Sequence, residues 1–168
     1  MLTTLELILR LSAAAAVGAV LGWEREAQKK PAGLRTHLLV SLGSAAFMIA
    51  GYELHHELVG RDQAAGADVL KVLAGIAGGV GFLGAGSIIQ NRSNVSGLTT
   101  AATTWLAAAI GIACSLGFYR LAAITLVLAL VALFCLGLMQ HGKDYLNATD
   151  DESHAEKEKS TTARGNAD

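Results

Sequence analysis

GIAGGVGFLGAGSII, residues 75–89, carries no charge and places small residues one helical turn apart, such as Gly75 with Gly79 and Gly81 with Ala85. In water this glycine density would weaken a helix by about 1 kcal/mol per glycine relative to alanine. In lipid every backbone group must be satisfied within the segment, so a helix forms, and small residues let neighbouring helices approach closely. The stretch therefore predicts a transmembrane helix that packs tightly.

The same stretch contains a second pattern, Gly79-x-Gly81-x-x-Gly84, which matches the fingerprint of dinucleotide-binding loops. That fingerprint must follow a strand, open an amphipathic helix and precede an acidic residue by about 20 positions. Here it lies inside an apolar run, and the downstream positions are Thr103 and Thr104. A nucleotide site is therefore not expected.

Composition places the whole chain among membrane proteins with several spans. Of its 168 residues, 52% are hydrophobic and only 16% are charged, and long stretches carry no charge at all. This distribution is typical of a polytopic membrane protein and not of a soluble core. The net charge is −1 and the sequence has no basic patch, so nucleic-acid binding is not expected.

Five apolar segments follow one another, and each is long enough to cross a bilayer as a helix. They cover about Leu5–Trp23, Thr36–Leu54, Val69–Gln90, Leu98–Leu116 and Leu121–Met139. The predicted fold is therefore all-α, a polytopic transmembrane helical bundle of about five helices, in a domain of residues 1–142. Residues 143–168 hold seven acidic and four basic residues, so this tail is predicted to be disordered.

Local patterns mark several helix ends. Thr3 and Glu6 have the spacing of a capping box at the start of the first helix. Ser96 is available as the cap of the fourth helix, and Gly117 has the position of a glycine that ends it. The short polar break at residues 91–94 predicts that the third and fourth segments form an antiparallel hairpin.

Two further patterns concern contacts between helices. Gly18 and Gly22 lie one turn apart and predict close packing of the first helix on another. Arg10 interrupts the first segment, and we expect it either to reach the near interface or to contact another helix. His37 is expected at the membrane interface.

Basic residues set the predicted orientation, because they favour the cytoplasmic side. Four lie in the loop Glu24–Arg35, four in the tail, and Arg92 lies between the third and fourth segments. The opposite side has Arg61, Lys71 and Arg120. We therefore expect the N-terminus outside and the tail in the cytoplasm, with the first loop and the start of the fourth helix together on the inner face.

Four motifs, in this order and spacing, closely resemble the bacterial MgtC/SapB family. They are GWERE at residues 22–26, KPAGLRTH at 30–37, GFLGAG at 81–86 and GLTTAATTW at 97–105. The resemblance covers about Leu5 to Leu138, the whole membrane part. It implies a small protein of the bacterial inner membrane with five transmembrane helices.

The resemblance also carries functional expectations. Some family members are linked to survival in low magnesium and inside host phagocytes. The best-known member resembles a regulator that acts on other membrane proteins, ATP synthase among them. The better-known members carry a folded cytoplasmic C-terminal domain, where this chain has only its charged tail. The position before Gly97 is often basic in the family and is Ser96 here.

These features suggest two sets of functional residues. The first is an inner-face cluster of Glu24, Arg25, Arg35, Thr36, Thr99 and Thr100. In it, Arg25 and Arg35 are expected to pair with the carboxylates of Glu24 and Glu26 or with lipid phosphate. The second set is expected to allow close helix contact, within the monomer or across a dimer, and consists of Gly81, Gly84, Gly86 and Trp105.

The leading functional hypothesis is a non-catalytic regulator that binds membrane partners through its helix faces. Its expected partners are the lipid bilayer, other inner-membrane proteins such as ATP synthase, and a second copy in a homodimer. The alternative is a transporter of Mg²⁺ or another small solute. Against transport, no Asp or Glu lies in the middle of a segment, and Mg²⁺ sites normally use one or two carboxylates. No catalytic residue, cofactor or metal site is predicted.

Overall fold

The computed structural model describes residues 2–59, 69–91, 94–135 and 137. Its helices are α1 (Thr4–Ala27), α2 (Leu34–Val59), α3 (Val69–Gly86), α4 (Leu98–Ser115) and α5 (Tyr119–Cys135). Two short strands, β1 (Ile89–Asn91) and β2 (Asn94–Ser96), lie between α3 and α4. Helices α1 to α4 are each long and apolar enough to cross a membrane, and α5 is shorter. The prediction of an all-helical transmembrane bundle is confirmed.

The centre of the bundle is formed by α1, α2 and α4, which pack on one another. Glycines allow their backbones to meet. A Cβ atom added at Gly18 would lie 2.7 Å from the carbonyl oxygen of His37, and one at Gly111 would collide with the carbonyl oxygen of Ser41. The contact expected of Gly18 and Gly22 is therefore present, and α2 is the helix that they approach.

Helix α3 lies beside this centre and is attached at its two ends. Near its start, Val72 lies within 3.0 Å of the position that a Cβ atom on Gly51 of α2 would take. Near its end, the Cβ position of Gly84 lies 3.3 Å from the carbonyl oxygen of Ala101 in α4. Between these contacts α3 leaves a groove on each side, and only Val80 and Gly84 of this helix are buried.

The connection between α3 and α4 corrects two predictions. Helix α3 ends at Gly86 and not at Gln90, because Ile89–Asn91 pairs as a strand with Asn94–Ser96 in an antiparallel ribbon. The β-branched Ile88 and Ile89 suit extended backbone, and the pairing satisfies polar groups that a frayed helix end would expose. The predicted antiparallel hairpin of α3 and α4 is present, and the segment that connects the two helices includes β1 and β2.

The cap of α4 is the second correction. Gly97 stands at the N-cap with φ 87°, and no side chain caps the helix there, so Ser96 is not its cap. The Ser96 hydroxyl instead faces the carbonyl oxygen of Ile89 at 3.4 Å across the ribbon. Only glycine adopts this left-handed backbone at low cost, and a Cβ atom at Gly97 would also collide with the Ser87 carbonyl oxygen.

Other predicted helix ends are confirmed. Thr3 and Glu6 form the capping box of α1. At the end of α4, Gly117 has φ 78° and donates its N–H to the Cys114 carbonyl, while Phe118 donates to the Ala113 carbonyl. This pair of bonds is a Schellman motif. Arg10 contacts another helix, because its guanidinium donates to the Ser115 carbonyl at 2.6 Å.

The chain divides into two units, residues 1–128 and 129–168. In the first unit, Ala122 of α5 joins the buried core with residues of α1, α2 and α4, namely Ala14, Ala45, Ile110, Ala113 and Cys114. In the second unit the structure describes residues 129–135, which continue α5, and residue 137. The predicted domain boundary at residue 142 and the charged tail lie outside the described residues and stay predictions.

Candidate functional site

A group of polar side chains is buried where α1 ends and where α2 and α4 begin, a region called here the Arg25 end. Its members are each less than 5% exposed and are Arg25, His37, Thr100, Thr103 and Thr104. Polar groups inside a membrane bundle are costly and are concentrated at functional positions. The Arg25 end is therefore the candidate functional site.

The turn between α1 and α2 brings these residues together. Gly22 packs against α2, since a Cβ atom there would lie 2.7 Å from the Cα of Leu34. The carboxylate of Glu26 accepts the backbone N–H of Leu34 at 2.8 Å and so caps the first turn of α2. Glu26 thus contacts the backbone of α2, whereas pairing with an arginine was expected.

His37 connects α2 to α4. Its Nδ1 lies 2.9 Å from the Gly33 carbonyl oxygen, which can only accept, so Nδ1 carries a proton and donates it. Its Nε2 lies 3.1 Å from the Thr103 hydroxyl, which in turn lies 3.0 Å from the Thr100 carbonyl oxygen. With a neutral ring, the Thr103 hydroxyl donates to Nε2. The His37 side chain is fully buried, and its expected position at the membrane interface stays a prediction.

Arg25 is the buried cation of the site. Its guanidinium lies 3.7 Å from the Glu24 carboxylate, and both residues are within electrostatic range of His37. Within the described part of the chain, Arg25 Nε and Glu24 Oε2 are buried without a hydrogen-bond partner. The other Glu24 oxygen accepts from the Gln28 side chain. The pair therefore balances charge but leaves hydrogen-bonding capacity unused.

The predicted inner-face cluster divides into two groups. Arg25 and Thr100 belong to the Arg25 end, and the partly buried Glu24 lies beside Arg25. Thr100 contributes the carbonyl oxygen that lies beside Thr103 and Thr104. The remaining three are exposed and lie outside the buried group, namely Arg35, Thr36 and Thr99.

Three residues of the site were not among those predicted from the sequence, namely His37, Thr103 and Thr104. One signal was available. His37 and Ser41 lie four residues apart on α2, and both face α4 or α1 through side-chain hydrogen bonds. A polar stripe at helical spacing inside an apolar segment indicates an interior helix face.

The predicted packing residues flank a groove between α3 and α4. Gly84 lies against Ala101, whereas Gly81 and Gly86 have open space where a Cβ atom would stand. Trp105 is half-exposed at the groove. The groove has a volume of about 510 Å³ and is called here the α3–α4 groove; its lining is Gly81, Gly84, Ala85, Ile88, Ala101, Ala102, Trp105 and Leu106.

The chemistry of the Arg25 end suits the joining of helices. The His37–Thr103 bond connects α2 to α4, and the Glu26 carboxylate connects α1 to α2 through the Leu34 N–H, while the Arg25–Glu24 pair lies within α1. Over the described ranges, no group of three or more His, Cys, Asp or Glu side chains is arranged to hold a metal ion. The site therefore offers hydrogen bonds and a buried positive charge where these helix ends meet.

Replacing Thr103 with valine should destabilise the contact between α2 and α4 by about 0.6–2 kcal/mol. The change preserves shape and removes the hydroxyl that bonds His37, so Nε2 loses its partner. Thermal unfolding of the purified protein in detergent would measure the loss. Thr99→Val is the matched control, since Thr99 is exposed in the preceding turn. Equal stability of the two variants would contradict the structural role of the His37–Thr103 bond.

Comparisons with known proteins agree with the predicted family. The family model described as "MgtC family" matches residues 11–141. "Putative magnesium transporter YhiD" of Escherichia coli strain K12 is 42% identical over 130 residues, which are 77% of this chain and 60% of that protein. "Protein MgtC" of Salmonella paratyphi A is 37% identical over 150 residues, 89% of this chain and 59% of that protein.

A further relative, "Protein MgtC" of Salmonella typhimurium strain LT2, is 40% identical over 125 residues, 74% of this chain and 50% of that protein. The chain thus spans 50–60% of the length of these relatives. No solved structure matches it. The family match covers most of the chain and coincides with four helices able to cross a bilayer, so this is a membrane protein of the MgtC family.

Proposed function

We propose that this protein is a non-catalytic regulator that binds other membrane proteins by accepting one of their helices in the α3–α4 groove. The observation that supports this most directly is the groove itself. It is lined by small and aliphatic residues, contains open space above Gly81, and has the half-exposed Trp105 at its side.

Helix packing explains why such a groove binds a helix. In lipid there is little hydrophobic drive between helices, so association depends on close van der Waals contact and hydrogen bonds. Glycine and alanine lower the groove floor, and an aromatic ring contributes a large contact area at its edge. A helix facing lipid alone has no need of this arrangement.

The partners follow from the family resemblance and from the charges at the Arg25 end. We propose inner-membrane proteins, ATP synthase among them, under magnesium limitation or during virulence and stress adaptation. The N-terminus lies outside and the C-terminus in the cytoplasm in this proposal. Lys29, Lys30 and Arg35 are exposed at the Arg25 end, as a cytoplasmic face requires.

Replacing Gly81 with leucine should fill the groove and weaken partner binding by about tenfold, equivalent to about 1.4 kcal/mol. The protein should still fold, because nothing lies within 4 Å of the new Cβ. Binding would be measured by fluorescence transfer between the labelled protein and labelled ATP synthase in liposomes. Gly78→Leu is the matched control, since Gly78 is equally open on α3 but does not line this groove.

Two outcomes would contradict the proposal. Either the wild-type protein shows no energy transfer with ATP synthase above that of an unrelated helical protein, or Gly81→Leu binds as well as Gly78→Leu. In the first case ATP synthase is not a partner. In the second case the α3–α4 groove is not the surface that binds it.

Transport is the second candidate function, and the name of the Escherichia coli relative, "Putative magnesium transporter YhiD", favours it. The described helices argue against it, because their acidic residues lie near helix ends and Mg²⁺ prefers carboxylate oxygens. These acids are Glu6, Glu24, Glu26, Glu53 and Glu57. Saturable Mg²⁺ flux into proteoliposomes with an entrapped indicator, lowered by Thr100→Val, would make transport the main function. Absence of flux from folded protein would leave regulation as the main function.

A further inference from the structure

We propose that the Arg25 end binds a phosphate group, and that Arg25 and Glu24 together select a phosphate with a hydrogen-bond donor beside it. A phospholipid headgroup or a free phosphate ion can present both of these chemical groups. The Arg25 end shares no residue with the lining of the α3–α4 groove, so this binding site is separate from the surface proposed for partner proteins.

The guanidinium of Arg25 is buried without the acceptors that a cation of this kind needs. Arg25 is 2% exposed, and its polar contact within the described residues is the Glu24 carboxylate at 3.7 Å, which is too long for a hydrogen bond. Its Nε is buried and has no partner among those residues. A guanidinium carries five N–H donors, and a buried charged donor that stays unpaired is costly.

The neighbouring polar groups of the Arg25 end are already engaged. The His37 ring is bonded at both nitrogens, to the Gly33 carbonyl and to the Thr103 hydroxyl. The Glu26 carboxylate accepts a backbone N–H at the start of α2. The acceptor that the guanidinium lacks therefore has to come from outside the described chain.

Glu24 adds a second requirement on the ligand. Its Oε1 accepts from the Gln28 side chain, whereas its Oε2 is buried without a partner in the described chain. The Glu24 side chain keeps 18% of its surface exposed, so the pair lies just beneath the surface of the protein. An unfilled donor on Arg25 thus lies beside an unfilled acceptor on Glu24. A ligand that suits both atoms carries an oxyanion and a proton donor a few bonds apart.

Phosphate compounds differ in whether they meet this requirement. A guanidinium matches the oxygens of a phosphate in geometry and in charge. Phosphatidylethanolamine adds ammonium N–H groups, phosphatidylglycerol adds hydroxyls, and the inorganic phosphate monoanion adds its own P–OH groups. Phosphatidylcholine has the same phosphate, but its ammonium is fully methylated and cannot donate to Glu24.

The surroundings of the pair favour a phosphate at the level of the lipid headgroups. Helix α1 has 24 residues and so measures about 36 Å, against about 30 Å for the bilayer core, and Arg25 is close to its end. Trp23 is 70% exposed, and tryptophan is enriched at the headgroup level. Lys29, Lys30 and Arg35 are exposed nearby in sequence, and α2 and α4 present the positive ends of their dipoles here.

Native mass spectrometry of the full-length protein in detergent would compare dioleoyl phosphatidylethanolamine with dioleoyl phosphatidylcholine. We expect the ethanolamine lipid to bind at least about threefold more tightly, because it alone donates a charge-assisted hydrogen bond to Glu24. Arg25→Lys keeps the charge but removes Nε and the planar fork, so it should weaken binding of this lipid by about tenfold. Arg35→Lys is the matched control, since Arg35 is exposed at the same end.

A second measurement identifies the source of the phosphate. The unfolding temperature would be followed with inorganic phosphate and, as the control anion, with sulfate, which carries no proton at neutral pH. Stabilisation by phosphate beyond that by sulfate, lost in Arg25→Lys and without a preference between the two lipids, would support the site and assign it to free phosphate. A lipid preference without this stabilisation would support the site and assign it to headgroups.

Two results would overturn the proposal. In the first, the two lipids bind equally and phosphate acts no more strongly than sulfate, which would leave the pair to water. In the second, Arg25→Lys retains the wild-type preference. The wild-type comparisons need no variant, so the proposal stays testable even if Arg25→Lys does not fold. No partner protein is present in either measurement, so this proposal and the binding of ATP synthase fail separately.

Discussion

Replacing Gly111 with alanine should disrupt the packing of α2 on α4 and lower the free energy of unfolding by about 3 kcal/mol or more. The added Cβ would collide with the Ser41 carbonyl oxygen and would lie 2.8 Å from the Ser41 Oγ. The first of these atoms belongs to the backbone and cannot rotate away. Relief requires α2 and α4 to separate, which would also strain the Ser41 hydrogen bond to Ala14.

Cys114 supplies a direct readout of this change. It lies three residues after Gly111, its side chain is 1% exposed, and it forms part of the buried core. In a Cys135→Ser background, a thiol-reactive fluorogenic dye would report heating-induced exposure of Cys114 alone. We expect the transition temperature of Gly111→Ala to fall well below that of the parent.

Gly78→Ala is the control variant, because it makes the same glycine-to-alanine change in another helix. Its Cβ meets no atom within 4 Å, and alanine is the better helix former, so this variant should be as stable as the parent or more so. A Gly111→Ala protein that unfolds at the parent temperature would contradict the close approach of α2 and α4.

Replacing Arg25 with methionine should destabilise the protein by about 2–3 kcal/mol, because it removes the cation that balances the Glu24 carboxylate. Glu24 retains 18% exposure of its side chain, so the loss should fall below that of a fully buried pair. Glu24→Gln should cost more than Arg25→Met, because Arg25 is the more deeply buried partner. The same thiol-exposure assay measures both losses.

The double variant Glu24→Gln/Arg25→Met tests whether the two charges act as a pair. If they do, it should be more stable than the sum of the single losses predicts, since no buried charge remains unbalanced. Strictly additive losses would show that the 3.7 Å contact contributes little, and that Arg25 acts through its packing alone. A stable Arg25→Met protein would contradict the importance of the pair altogether.

The apolar segments were readable from the sequence because the bilayer imposes one strong constraint on length and composition. The rotation of each helix about its own axis could not be read from the sequence. Thr99 and Thr100 are neighbours with the same side chain, yet one is exposed and the other buried, since successive helical residues point about 100° apart. Predicting which threonine faces inward requires knowing where α1 and α2 lie.

The glycines of α3 show the same limit of prediction from the sequence. Their spacing predicted a helix that packs tightly, but the closest backbone contacts in the bundle occur at Gly18, Gly22 and Gly111. A small residue permits a close approach without identifying the helix that makes it. At Gly81 and Gly86 the described chain leaves the permitted space open. For the same reason the contact of His37 with Thr103 was not predicted, since the two residues lie 66 positions apart.

That separation of 66 residues has a consequence for biosynthesis. Helices α1 and α2 are made first, together with the contacts of Gly18 and Gly22 and the Arg25–Glu24 pair, and chains generally fold from the N-terminus during synthesis. The His37 ring has no Thr103 to bond until α3 and the ribbon have been translated. Helix α4 then packs against α1 and α2, and its Thr103 supplies the partner that the His37 ring had lacked.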